Sequence, residues 1–316
     1  MNWIQAKTNL FRSFSPGARY LIGVSGGRDS IALLYWLINL GYNELIVCHL
    51  NHQLRGRSSN ADARFVEKLA ARYDLDLEVA ASNVRALAKK KKMSMEAAAR
   101  EARYSFFAKI AKRRRCRTIF LAHHADDLVE TFLLNLFRGA GTAGLAAMRD
   151  VSTRHIDTVD LVVIRPFLGV WRKEIDIYLR EHQLKFREDA SNKNLNPLRN
   201  RIRHRIIPYL EKILSRNIRP TIWRAAAIFS EEEDWLDNQL GDSSTTALSV
   251  MQMRALPVAL QRRTILKWLR TQGISDVGFD AIERVRLLAN YDARIAKVNL
   301  SQDRHARRRA GKIFIE

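Results

Sequence analysis

Cysteine is scarce in this chain. The only two, Cys48 and Cys116, lie far apart in the sequence, which excludes a disulfide framework or a Cys-x-x-Cys metal or redox site within the chain and fits a reducing cytoplasm. Long apolar runs are missing as well. The longest, Ile31 to Ile38, stops at Asn39, far short of the roughly 20 residues that cross a bilayer, so no membrane span is expected. Acidic residues are in deficit: 33 Asp and Glu against 54 Lys and Arg leave a net charge of +21. A polyanion is the natural partner, nucleic acid ahead of an anionic membrane surface. What remains is ordinary for a globular protein, 47% hydrophobic and 28% charged over 316 residues. That is too apolar for disorder and long enough for about two domains.

From Tyr20 onward, apolar runs of strand length alternate with longer amphipathic runs of helical period, the pattern of an α/β fold with a parallel sheet wrapped by helices on both faces. Strands are expected at Tyr20 to Val24, Leu45 to Leu50, Leu75 to Ala80 and Thr118 to Ala122. Helices are expected at Ser30 to Leu40, Asn60 to Tyr73, Met95 to Arg113 and Asp126 to Phe137, with Gly41 and Gly139 closing two of them. The basic segment before Tyr20, carrying Lys7, Arg12 and Arg19, reads as a short amphipathic opening helix rather than a transit peptide. After Met148 the pattern changes to a hairpin over Arg154 to Ile164 and a helix over Trp171 to His182. Beyond about Asn200, helical periodicity covers Ile202 to Leu214, Thr221 to Leu240 and Ala259 to Thr271, and Val298 to Ile315 reads as a closing hairpin. The expected division is a catalytic domain over 1–200 and a smaller, mainly helical, RNA-binding domain over 201–316.

The first strand runs into Ser25-Gly-Gly-Arg-Asp-Ser30 and then a helix start. Gly26 and Gly27 can take positive φ and leave room for an anion, and successive backbone N–H groups at a helix N-terminus form a phosphate nest. Ser25 and Ser30 add hydroxyls. Asp29 is out of place in a pure anion site unless it holds a cation, and Mg²⁺ bridging Asp29 and phosphates resolves the conflict. The bland alternative is a tight turn whose Asp and Ser only cap the helix. Neither Gly-x-x-x-x-Gly-Lys-Ser/Thr nor Gly-x-Gly-x-x-Gly occurs here, which disfavours γ-phosphate transfer and dinucleotide binding.

Six further segments carry chemistry. His49-Leu-Asn-His52, with Arg55, follows the second strand, where open α/β sheets place ligands. Glu96, Arg100 and Arg103 fall on one helical face. His123-His-Ala-Asp-Asp127-Leu-Val-Glu130-Thr131 leaves a strand and enters a helix, with Asp127 and Glu130 on one face, a cluster able to bind a metal or to orient and deprotonate an amine. Arg165-Pro-Phe-Leu, Glu188-Asp-Ala-Ser-Asn192 and Arg199-Asn200-Arg-Ile-Arg203 complete the set.

The Ser25–Ser30 loop after an apolar strand resembles the pyrophosphatase loop of the N-type ATP pyrophosphatases, or PP-loop enzymes, and the segments taken in order resemble the tRNA(Ile)-lysidine synthetases. The resemblance runs from about Tyr20 to Leu210 and more loosely beyond. It implies an adenine-nucleotide α-hydrolase-like fold and use of ATP and Mg²⁺. It also implies a reaction in which the wobble cytidine of tRNA(Ile) with a CAU anticodon is adenylated at its C2 oxygen, then attacked by free L-lysine to give lysidine, AMP and pyrophosphate. On that reading Ser25, Gly26, Gly27, Arg28, Asp29 and Ser30 bind ATP, with Asp29 also the metal ligand. Arg103, helped by Arg100, stabilises the α-phosphate or adenylate. Asp127 and Glu130 recognise and deprotonate the lysine ammonium, and His52, His123, Arg199 and Asn200 are on the substrate side. RNA affinity is expected from Lys89 to Lys92, Arg113 to Arg115, Arg199 to Arg205 and Arg304 to Arg309. Longer family members carry an additional C-terminal tRNA-binding domain, which this chain is expected to be too short to contain in full. Three other readings stay open: a PP-loop tRNA 2-thiolase, a metal-dependent phosphoesterase built on His123, His124, Asp126 and Asp127, and a non-catalytic RNA-binding protein.

Overall fold

The computed structural model describes residues 13–54, 57–187, 197–240, 245–274, 277–292, 295–301 and 303–316. The expected opening helix before residue 13, Arg55, and the Glu188 to Asn192 motif lie outside them. Two compact units make up the chain, one of Met1–Leu134 and Met148–Trp223, the other of Asn135–Ala147 and Arg224–Glu316.

In the first unit, β1 (Tyr20–Gly23) passes through the glycine loop into α1 (Arg28–Asn39), followed by β2 (Leu45–Asn51), α2 (Arg57–Arg72) and β3 (Asp76–Ala81). Then come α3 (Val84–Lys91), α4 (Met95–Arg114), β4 (Thr118–Phe120) and α5 (Ala125–Phe137). The short α6 (Thr142–Leu145), which belongs to the second unit, precedes β5 (Val151–Ile156) and β6 (Val159–Ile164) of the first. Helices α7 (Arg172–Glu181), α8 (Leu198–Arg201) and α9 (Ile207–Ile213) follow, the last two joined by a π-helical turn over Ile202–Ile206, and α10 (Arg219–Gln239) carries the chain from the first unit into the second.

The sheet order is β3-β2-β1-β4-β6-β5, parallel except where β5 pairs antiparallel with β6. Side-chain alternation along β1 explains why its sequence is apolar throughout: Tyr20, Ile22 and Val24 face a core shared with Ile31, Leu34 and Trp36 of α1, Val66 of α2 and Ile175 of α7, while Leu21 joins Phe107, Ile110 and Ala111 of α4 on the opposite face. Both faces are therefore covered by helices. Because β2 and β3 lie to one side of β1 and β4 to the other, the chain reverses direction across the sheet between β1 and β4. The C-terminal ends of strands at such a switch point leave a crevice.

The second unit adds β7 (Ala247–Ser249), α11 (Val250–Ala255), α12 (Val258–Thr271), α13 (Phe279–Leu287), β8 (Lys297–Asn299), β9 (His305–Arg309) and β10 (Lys312–Ile315). Its core joins Ile265, Trp268 and Leu269 of α12, Val285 of α13, and Val298, Ala306 and Ile313 of the strands. The expected closing hairpin is β9 and β10, and it is wider than expected, an antiparallel four-stranded sheet in the order β7-β10-β9-β8. Helices α11 to α13 fill the chain between β7 and the other strands of that sheet. Among the described residues no helix is long and apolar enough to cross a membrane.

Candidate active site

The loop after β1 is shaped by its own side chains. Gly26 sits at φ +86°, a left-handed conformation open to glycine at little cost. Gly27 caps α1 with an extended backbone. Ser30 Oγ donates to the Gly27 carbonyl at 2.8 Å and accepts from Ser25 N–H at 3.2 Å, while Ser25 Oγ accepts from Gly27 N–H at 3.2 Å. These bonds close a small ring that holds the loop open at the end of α1. From outside, the Arg187 N–H donates to the Gly26 carbonyl at 3.0 Å, and the Arg187 side chain pairs with Asp62.

A cavity of about 630 Å³ opens over this loop at the switch point. Ser25, Gly27, Arg28, Asp29 and Ser30 line it, as do His49 and His52 from the end of β2, His123 beyond β4, and Arg103 and Arg172. Most of the expected nucleotide-binding residues thus meet in one place. Arg28 is only partly free, since it pairs with Asp176 at 2.8 Å and lies 5.4 Å from the Phe186 ring centroid. Arg103 pairs with no carboxylate among the described residues, and burial lowers its pKa. A shielded guanidinium without a counter-ion is a site for a ligand's negative charge.

Three carboxylates surround one buried histidine. His124, 1% exposed, has Nε2 3.5 Å from Asp127 Oδ2 and 3.8 Å from Asp29 Oδ2, and Nδ1 3.8 Å from Asp126 Oδ2. Its backbone N–H donates to Asp127 Oδ2 at 3.2 Å. Burial raises the Asp29 carboxyl above its ordinary value, with His124 opposing and Asp127 reinforcing the shift. For Asp127 burial acts upward too, but His124, His123, Arg199 and Arg203 outweigh it and hold the carboxyl at about 2. His123 and His52 stay neutral: burial pushes them down to about 3 and about 4.

Asp126 is spent on structure, accepting the Arg172 N–H at 3.0 Å and Arg219 Nη1 at 2.6 Å. Glu130 is wholly buried and gripped by Arg203, with Arg199 Nε 3.1 Å from Oε2. Burial raises its carboxyl against the pull of Arg203. The structure therefore places Glu130 among arginines and away from the cavity lining, as it does Arg199, whose Nη2 donates to Thr131 Oγ1 at 2.5 Å. Asn200 is half-buried on the same short helix, α8. Arg100 is exposed and stacks on Tyr104 at 5.2 Å, outside the cavity lining.

Among the described residues no group of three or more His, Cys, Asp and Glu could hold a metal alone. Asp29 nevertheless offers a buried Oδ1 with no hydrogen-bond partner. That suits Mg²⁺, which takes one or two carboxylates and fills its octahedron with phosphate oxygens and water.

Sequence comparison matches residues 2–210 to the PP-loop domain and residues 248–314 to the TilS substrate binding domain. The tRNA(Ile)-lysidine synthase of Chlorobaculum tepidum is 33% identical over 289 residues, 88% of this chain and 85% of that protein. The chain belongs to the tRNA(Ile)-lysidine synthase family. Another member, from Geobacter sulfurreducens, is 38% identical over 299 residues, 89% of this chain, and one from Bacillus subtilis is 36% identical over 261 residues, 79% of this chain. The chain spans 62% and 54% of the length of these two relatives. Among solved structures, the U34-tRNA thiolase NcsA from Methanococcus maripaludis, determined with its 4Fe-4S cluster, superposes with a TM-score of 0.55 at 18% identity, covering 76% of this chain and 80% of that one. This likeness is one of fold.

Sequence reasoning passed over His124 as the hub of the carboxylates, and over Arg172 and Arg203. His124 was visible beside His123, but which of two adjacent histidines turns inward depends on the strand exit. Arg203 stood in the basic run Arg199 to Arg205, where charge density alone reads as solvated surface.

Proposed function

We propose that this chain uses ATP to join free L-lysine to C2 of the wobble cytidine of tRNA(Ile) with a CAU anticodon, in the cytoplasm. ATP transfers AMP to the C2 oxygen of the cytosine and releases pyrophosphate. The lysine ε-amine then attacks C2, AMP leaves with that oxygen, and the amine gives up its protons to yield lysidine. The observation that carries this reading is the meeting, in one cavity of a chain from this family, of the glycine loop, the unpartnered Asp29 Oδ1 and the uncompensated Arg103.

In this reading the loop from Ser25 to Ser30 grips the outer two phosphates and Arg103 meets the innermost. Mg²⁺ held by Asp29 and phosphate oxygens would neutralise charge that grows as the α–β bond breaks. Neutral His52 and His123 line the space for the base without adding charge. Asp127, kept ionised, is the group that attracts the ammonium and helps remove its proton, since a protonated amine is not a nucleophile. Glu130 works at one remove by fixing Arg203 and Arg199, the arm that holds Asp127. The target cytidine must be turned out of the anticodon loop for its base edge to enter.

The decisive experiment is incubation with ATP, radiolabelled lysine and a panel of tRNA transcripts. Label should enter the CAU isoleucine species and no other. Label in none of them overturns the proposal.

A further inference from the structure

In the second unit, a cavity of about 510 Å³ is lined by Arg254, Gln261, Arg286, Asn290 and Tyr291. Tyr291 is 81% exposed, so its ring buries too little surface to serve the core. Instead, Arg254 lies flush with it, Cζ 3.9 Å from the ring centroid. The guanidinium is itself fixed, with Nε donating to the Ala289 carbonyl at 2.6 Å and Nη2 to the Asn290 carbonyl at 3.0 Å. Among the described residues it pairs with no carboxylate. A rigid cation stacked on an aromatic ring, with the rest of that ring in solvent, makes a preformed flat surface with positive charge at its side.

We infer that Tyr291 and Arg254 form a stacking platform for one unpaired nucleobase of the RNA substrate, seated in this cavity. Stacking on aromatic and guanidinium planes is how proteins hold splayed bases, because every base offers a π face. Amide groups of Gln261 and Asn290 are in the same cavity to meet a base edge, and Arg254 favours the adjoining phosphate, whereas the Arg286 guanidinium is already held by Glu283 at 2.9 Å. A duplex interior offers no free base face, so the ligand is a nucleotide at a loop, bulge or strand end. The inference rests on the RNA-modifying function proposed above and adds a place where the RNA is held.

The test uses the full chain, an unmodified CAU isoleucine tRNA transcript and, as control, a blunt RNA duplex of about 12 base pairs. Tyr291→Ala should weaken transcript binding about 5- to 150-fold, the range set by loss of one base stack. Tyr291→Phe should stay within about twofold of wild type, because the ring face is kept. Neither variant should change the salt slope, no phosphate contact being lost, nor the thermal midpoint. Equal transcript affinities for wild type and Tyr291→Ala overturn the platform and leave the ligase proposal standing. An equal loss on the duplex also overturns it, pointing to backbone binding. A wild-type chain that binds the transcript no better than the duplex, yet still incorporates lysine, overturns the platform alone. Failure of both transcript binding and lysine incorporation overturns the ligase proposal and the platform with it.

Discussion

Arg203 holds Glu130 with two nitrogens, Nε 2.5 Å from Oε1 and Nη2 3.0 Å from Oε2, and the same Nη2 lies 3.4 Å from Asp127 Oδ1. One guanidinium thus ties together two carboxylates of α5, both in reach because they stand one turn apart. Glu130 has no solvent contact. Its charge is tolerable only while this grip lasts.

Arg203→Ala should therefore destabilise the chain by about 3 kcal/mol, near the low end for breaking a buried pair because Arg199 stays beside Glu130. Urea titration of the variant reads the loss. Adding Glu130→Gln should restore part of it, since the stranded charge is gone. A double variant no more stable than Arg203→Ala would show that Glu130 is not the strained partner.

Acid should weaken the fold well before ordinary carboxylates titrate. His123 and His52 have folded-state values near 3 and 4, below the unfolded value of 6.5, so between those limits the unfolded chain binds more protons and stability falls as pH falls. For His123 the slope is at most about 1.4 kcal/mol per pH unit below pH 6.5. Asp127, lowered to about 2, contributes stability that is present above 3.8 and lost as pH drops from there to 2. Urea midpoints at pH 7.5, 6.5 and 5.5 should decline, and His123→Gln should flatten the decline.

Replacing Asp29 by Asn should reduce pyrophosphate release by about 100-fold or more, the scale of losing one preorganised charge at a transition state. The carboxylate, half-buried beside His124, is not needed for the core, so thermal stability should hold or rise. The check is a coupled pyrophosphate assay run beside calorimetry.

Gly26→Ala places a Cβ 3.5 Å from Val66 Cγ2, an ordinary contact, so the cost is the left-handed backbone alone, about 1 kcal/mol. If the loop relaxes to relieve that strain, its N–H groups turn and ATP affinity drops by more than stability does. Isothermal titration with ATP against urea unfolding separates the two.

Transcript affinity should fall steeply with salt, with a log–log slope of about −4 or steeper if several phosphates are neutralised. The basic clusters should not contribute alike. Lys89, Lys90 and Lys92 are exposed and their removal should flatten the slope. Arg304 and Arg308 donate to the carbonyls of Gln272, Leu288 and Asn290, so replacing them should lower the melting temperature first.

The parallel sheet was legible because strands buried on both faces are written as unbroken apolar runs, as in Leu45 to Cys48. Helix α3 was not, since Val84–Lys91 carries a run of lysines that reads as a surface cluster. The phosphate loop could be read whole, being local. The grip of Arg203 on Glu130 could not, because the partners are 73 positions apart and meet only after β5, β6 and α7 have been laid down between them. The tail shows the same limit: His305–Arg309 looks like a cationic patch, yet as a strand it turns Ala306 inward and sends Arg308 to carbonyl groups.

Strand β3 is the outermost strand on its side of the sheet, and its Glu78 is held by Arg113 and Arg114, with Asp76 beside Arg114. An arginine pair that resembled an RNA contact in the bare sequence thus forms a charged hem. A stray chain trying to extend the sheet there must displace these ions from water, which guards the open backbone against edge-to-edge aggregation.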